Sequence, residues 1–186
     1  MLAPPRLAAS NPDDVTSDGP LVAANRAVHL VFDRLHEDVF LALMRADLAA
    51  ARAAWRDLGR ALEAHQQVEE PALAAHPSPH PPRGGSAELV LAEHARLNLL
   101  WAQGSSLLDE LATSTDADTL PRAIVRSLDR LLRLHHLLDH HGEREHHLVY
   151  PDLEARLSPA EALALAAALR EAAAAFTSAP EGRAER

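Results

Sequence analysis

The run HHGEREHHLVYPDL, His140 to Leu153, places four histidines and two glutamates within eight residues and ends at the chain's single tyrosine and a proline. Imidazole nitrogens beside carboxylate oxygens either form a wet, charged helix end or bind metal. Helical spacing separates the two cases, because residues three or four apart share a face. In this segment the apolar stripe reads Leu131, Leu134, Leu138, His141, Glu145, Leu148, while His136, His140, Arg144 and His147 lie on the polar stripe. His141 and Glu145 therefore look inward, one turn apart.

Three other segments also carry histidine on an apolar stripe. One stripe reads Trp55, Leu58, Leu62, His65, Glu69, again with His and Glu at i and i+4. Another reads Val90, His94, Leu97, Trp101, Leu108, Leu111, and the first reads Val22, His29, Phe32, His36, Val39, Leu43. A buried carboxylate without a partner costs several kcal/mol. None of the chain's 18 Lys and Arg residues lies on these stripes near the site. Nitrogen and oxygen ligands without sulfur suit iron, manganese or zinc. Two glutamates able to bridge, with two histidines per metal, suit a pair of ions.

Helices must bring these residues to one level. Helical spacing runs from Leu21 to about Ala46. Asp47 is placed to cap a second helix, which runs to about Glu70 before Pro71 kinks or ends it. HPSPHPPRGG, His76 to Gly85, is a loop. Ser86 caps a third helix to about Ala112, TSTDADT connects, and a fourth runs to about Tyr150 before Pro151. Ser158-Pro-Ala-Glu161 is a capping box for a fifth, Ala-rich helix ending near Phe176. The expected fold is all-α, an antiparallel four-helix bundle with an additional short C-terminal helix. Residues 21–177 form this bundle, 1–20 a flexible N-terminal arm and 178–186 a disordered tail.

In an antiparallel hairpin, residues equally far from the turn face each other. His29 and His65 both lie 18 residues from Asp47, whereas His36 lies 11 away, which leaves it roughly 10 Å too shallow at the helical rise. His29 is therefore the expected ligand. His36 remains open as core packing, the wall of a ligand channel, or the ligand itself if the turn lies elsewhere. A second turn near Asp116 puts His94 and His141 within roughly 5 Å in depth. The expected ligands are His29, His65, Glu69, His94, His141 and Glu145. His76, His80, His135, His136, His140, His146 and His147 read as loop or solvated face, and Asp33 as exposed. Trp55 and Trp101 read as core, and Tyr150 as structural, within reach of the site as a hydrogen-bond donor. Because imidazoles must be neutral to bind metal, affinity is expected to weaken as pH falls through about 6.

Composition removes other classes. Aromatic residues make up 3 % of the chain and hydrophobic ones 47 %, much of it Ala and Leu, which favours close helix packing. A net charge of −9 without a basic patch argues against nucleic acid. The absence of cysteine excludes disulfides, thiolate catalysis and sulfur-ligated metal. No apolar run is long enough to span a membrane, and the N-terminus lacks a signal-peptide core, so a cytoplasmic protein is expected.

Four pieces of the sequence together resemble the hemerythrin-like (HHE cation-binding) family over about Leu21 to Leu157. They are HLVFDRL from His29, DLAAARAAWRDLGRALEAHQQVEE from Asp47, LAEHARLNLLW from Leu91 and HHGEREHHLVYPDL from His140. The resemblance implies a non-haem di-iron centre bridged by two carboxylates and an oxo or hydroxo group, held by the six residues named above. It implies binding or sensing of O₂, peroxide or NO. An enzyme-like role in peroxide decomposition or in nitrosative-stress and iron–sulfur repair is an alternative, as is a metal-dependent regulatory module with a protein partner. The chain departs from the oxygen carriers, which have a further histidine where Asn98 stands. His146 replaces the second Glu of the fourth-helix motif, and the cysteine-bearing domain of the repair proteins is absent. These departures turn the expectation from simple oxygen carriage toward the sensing and repair members.

Overall fold

The computed structural model of the chain describes residues 18–113 and 118–177. Most of the expected arm, the turn near Asp116 and the expected tail lie outside these residues. Among the described residues there is no strand. The elements are α1 (Pro20–Met44), α2 (Leu48–Ala75), α3 (Ala87–Ala112), α4 (Leu120–Arg144), a π-helical segment (Glu145–Val149), α5 (Tyr150–Glu154) and α6 (Pro159–Ala174). No helix among the described residues is long and apolar enough to cross a membrane.

The helix starts reflect their side-chain chemistry. Asp47 accepts the Ala50 N–H at 2.9 Å, and Ser86 accepts that of Leu89. Ser158 and Glu161 complete a reciprocal capping box. These contacts satisfy first-turn donors that have no partner within the helix. The packing is bundle-like: α1 lies on α2, α4 and α6, α2 on α3 and α6, and α3 on α4. Helix α6 presents Ala162, Ala166, Leu169 and Ala173, small enough to let it sit close against α1 and α2. Arg34 of α1 reaches the carbonyls of Phe176 and Thr177 just past α6. A cation is favoured there by the helix dipole.

One reciprocal contact sets the approach of α2 to α3. The Trp55 indole donates to the Trp101 carbonyl at 3.0 Å, and the Trp101 indole donates to the Trp55 carbonyl at 2.9 Å. Each ring occupies space that a glycine leaves free. A Cβ at Gly104 would collide with Trp55, and one at Gly59 with Trp101. With both indole N–H groups satisfied, Trp55 is 1 % exposed.

Two expectations at prolines are corrected. Helix α2 does not end at Glu70 but continues through Pro71 to Ala75. Pro71 is exposed, so its ring meets solvent, and burial of Leu73 holds the extra turn against the missing N–H. In the fourth stretch the core stripe does not continue to Leu148. Leu148 is half-buried, and Val149 and Tyr150 are buried instead. Pro151 has no N–H for the carbonyl of His147. The backbone ahead of it widens into a π turn in which the Tyr150 N–H bonds the Glu145 carbonyl. Such a turn admits one extra residue and rotates the helix beyond it, which brings the tyrosine inward.

Candidate metal centre

Four helices deliver the polar core. His65 and Glu69 come from α2, His94 from α3 and His141 from α4, with Glu145 opening the π segment. One ligand atom from each of these five buried residues lies within 4.8 Å of all the others. His29 of α1 joins at the edge, its side chain 15 % exposed, with Nε2 2.8 Å from Glu145 Oε2. All six sequence-predicted residues thus meet at one place. His36 does not: it packs against Phe40, Trp55 and His135, its ring centroid 6.0 Å from that of Trp55.

The orientation of two imidazoles decides what the cluster can hold. His94 Nδ1 lies 2.9 Å from Glu70 Oε1, and His141 Nδ1 lies 2.9 Å from Glu93 Oε2. An ionised carboxylate only accepts, so each Nδ1 carries the hydrogen. When the rings are neutral, both Nε2 atoms then present lone pairs, and they face each other at 3.1 Å. Glu145 Oε1 stands 2.6 Å from His141 Nε2, and Glu69 Oε2 stands 3.0 Å from His94 Nε2. Neither nitrogen of His65 and neither oxygen of Glu69 makes a hydrogen bond. Converging acceptors of this kind need protons or a cation among them. An imidazole whose far nitrogen donates to a carboxylate is the arrangement that orients histidine toward metal.

The charges around the site show what happens when protons fill it. Burial opposes charge on His141, but Glu145, with hydrogen bonds to Glu145 and Glu93, outweighs it and raises its pKa to about 10. Burial also opposes charge on His65, yet Glu145 and then Glu69 raise it to about 9. Against burial, His141 and then His65 hold Glu145 well below the usual carboxylate range. Against burial and the charge of Glu145, His65 and His94 lower the pKa of Glu69. Burial, and then the negative charge of Glu69 and Glu145, pushes the Tyr150 hydroxyl well above its ordinary value. Tyr150 therefore stays a protonated O–H beside the two carboxylates. His36, by contrast, is lowered to about 4 by burial and by His135, and stays neutral.

The sequence does not reveal the role of three supporting residues. Glu70 and Glu93 sit at the rims of their stripes, and Arg144 lies on the polar one. In the structure Arg144 grips Glu93 with contacts of 2.9 and 3.1 Å and donates to the Gly84 carbonyl at 3.0 Å. Gly84 has φ of +85°, where a side chain would be strained. The loop before α3 thus braces the residue that orients His141. The only signal in the sequence is an acidic residue directly beside a stripe histidine or glutamate. Asn98 donates to Gln66 Oε1 at 3.0 Å.

A pocket of about 260 Å³ opens over His29, with Asn25, Asp33, Asp139 and Gly142 among its walls. Gly142 is what lets His29 reach Glu145, since a Cβ there would come 2.5 Å from His29 Nδ1 and 2.8 Å from its Cε1. No family model, curated protein or solved structure matches the chain. The site therefore has to be read from its geometry.

Gly142→Ala should raise helix propensity by about 0.5–1 kcal/mol in the ordinary way, yet displace the His29 ring and lower metal content. Circular dichroism with metal quantification checks this, and unchanged metal content would contradict it. The pH dependence differs from the sequence expectation. Ordinary imidazole ceases to compete with metal above about 6.5, but His65 and His141 hold protons up to about 9 and 10. Metal affinity should therefore keep rising from pH 7 toward 9–10, with protons released on binding at pH 7. In the metal-free protein the same raised pKa values give stabilisation that is complete below about 6.5 and lost as pH rises through 9 to 10. Calorimetric Zn²⁺ titrations in buffers of different ionisation enthalpy read the proton release, and an affinity already flat above pH 7 would be the opposite result.

Proposed function

We propose that the chain is a hemerythrin-like protein whose four long helices form an antiparallel bundle around a non-haem di-iron centre that binds or senses O₂, peroxide or NO. The observation that carries this reading is the convergence of His94 Nε2, His141 Nε2, Glu69 Oε2 and Glu145 Oε1, with no lysine or arginine paired to either glutamate among the described residues. A pair of ions is favoured over one by Glu145. Its Oε2 faces His29 and Asn25, while its Oε1 faces His141 and His65. A carboxylate approached by ligands on both oxygens is suited to bridge. Iron fits an all-nitrogen-and-oxygen donor set, and the resemblance seen in the sequence selects it over manganese or zinc.

In this reading His29, His65, His94, His141, Glu69 and Glu145 hold the ions. Glu70 and the Glu93–Arg144 pair fix the ring orientations of His94 and His141. Tyr150 Oη would keep its proton under the negative charge of both glutamates. An iron pair held by these residues would supply redox chemistry and binding of a small ligand. The pocket over His29 supports a diatomic or peroxide-sized ligand, because about 260 Å³ is below the range usual for organic substrates.

Native protein, purified without added metal and analysed for iron with an absorption spectrum taken before and after exposure to air, peroxide and NO, tests the proposal. A pair of irons per chain and a spectrum that responds to at least one of these ligands is expected. Zinc alone, a single ion, or a silent spectrum would contradict it.

A further inference from the structure

A second group of side chains that could hold a metal ion lies on α1 and α4. Asp33 of α1 and His135 and Asp139 of α4 offer ligand atoms within 4.8 Å of one another. The aspartates are exposed and His135 is half-buried. His135 Nε2 is 3.7 Å from Asp139 Oδ2, too far for a hydrogen bond, and His135 Nδ1 is shielded from solvent without a partner. Behind it lies His36, 2 % exposed, its Nε2 also unpartnered, with its ring centroid 4.7 Å from that of His135. Two adjacent imidazoles with unpartnered nitrogens beside the Asp33 and Asp139 carboxylates have the composition of a site for a divalent cation such as Fe²⁺, Mn²⁺ or Zn²⁺.

The position of the group gives it a role. Asp33 and Asp139 also form walls of the pocket whose inner end is His29, and His29 touches Glu145. Arg26, the guanidinium on that pocket, is paired with Asp18 at 3.1 Å. The two aspartates of the outer group therefore share a pocket with His29, which in turn touches the inner cluster. We infer that Asp33, His135 and Asp139 form a separate, solvent-accessible divalent-cation site that captures metal from solution and delivers it through the His29 pocket to the buried centre. Delivery rests on the proposed metal centre, whereas capture at the outer site does not.

The test uses the metal-free full chain with Co²⁺ as the probe. Equilibrium dialysis counts bound ions, and the visible absorption of Co²⁺ tracks loading of the inner centre. Asp33→Asn/Asp139→Asn changes only exposed side chains, and His135→Gln provides a second variant, with circular dichroism confirming the fold of each. Both variants should bind one Co²⁺ fewer than the wild type, losing the weaker class. Loading at limiting Co²⁺ should slow by about tenfold, at the low end of what electrostatic capture contributes to association rates, while the final inner-site spectrum is unchanged. An unchanged count of bound Co²⁺ would overturn the outer site, and a lower count with unchanged loading rate would overturn delivery. If the inner centre itself bound no metal, the wild type would lack the tight class while the weak class remained countable. The two failures are therefore distinct.

Discussion

The structure depends on keeping Glu69 and Glu145 ionised at 1 % and 0 % exposure in the middle of a leucine-rich core. Removing such a charge from water costs several kcal/mol even after relaxation. No lysine or arginine is paired with either glutamate among the described residues. The compensating groups are imidazoles and, for Glu145, the Asn25 amide. The imidazoles of His94 and His141 are held with Nε2 atoms facing each other at 3.1 Å. That arrangement is repulsive when the rings are neutral and favourable once positive charge enters. Protons can supply that charge, as the raised pKa values of His65 and His141 show. A divalent ion supplies more charge in the same space and takes up the ligand atoms that have no hydrogen bond.

Much of the surrounding architecture can be understood as holding this geometry. The paired indoles of Trp55 and Trp101 fix the spacing of α2 and α3, and so of the His65–Glu69 and His94 faces. Gly142 admits the His29 ring. Glu70, Glu93 and Arg144 restrain two imidazoles from behind, with a glycine in the left-handed region closing the brace. The π turn ahead of Pro151 converts a continuous helix into one that turns Tyr150 inward beside the carboxylates. Each device removes freedom from a side chain that would otherwise relax away from its like-charged or like-polarised neighbours, which is how a preorganised ligand set is maintained.

Which face of a regular helix looks inward is legible in the sequence. A stripe at helical spacing tells which residues face inward, and so the six cluster residues and the helix caps at Asp47, Ser86 and Ser158 can be read directly. Counting from Asp47 separates His29 from His36 because rise per residue is a fixed length. Rim residues are not legible, because whether Glu93 turns toward His141 or toward water depends on the neighbouring helix. Helical spacing misplaces Arg144 for the same reason, its long side chain crossing from the polar face to Glu93. It assigns Leu148 to the core only if the α register is unbroken, and the π turn shifts that register. Pro71 is a weaker helix stop than its type suggests, since its ring is tolerated where it meets solvent.

Anomalous X-ray diffraction tests most directly whether the space between the His94 and His141 imidazoles and the Glu69 and Glu145 carboxylates is a metal site. Crystals of protein purified with its own metal would be measured on both sides of the iron absorption edge. The expected result is a pair of iron peaks bounded by His29, His65, His94 and His141, with Glu69 and Glu145 between them. A well-ordered cluster with no anomalous peak, the same imidazoles and carboxylates bonded only to one another, would contradict it.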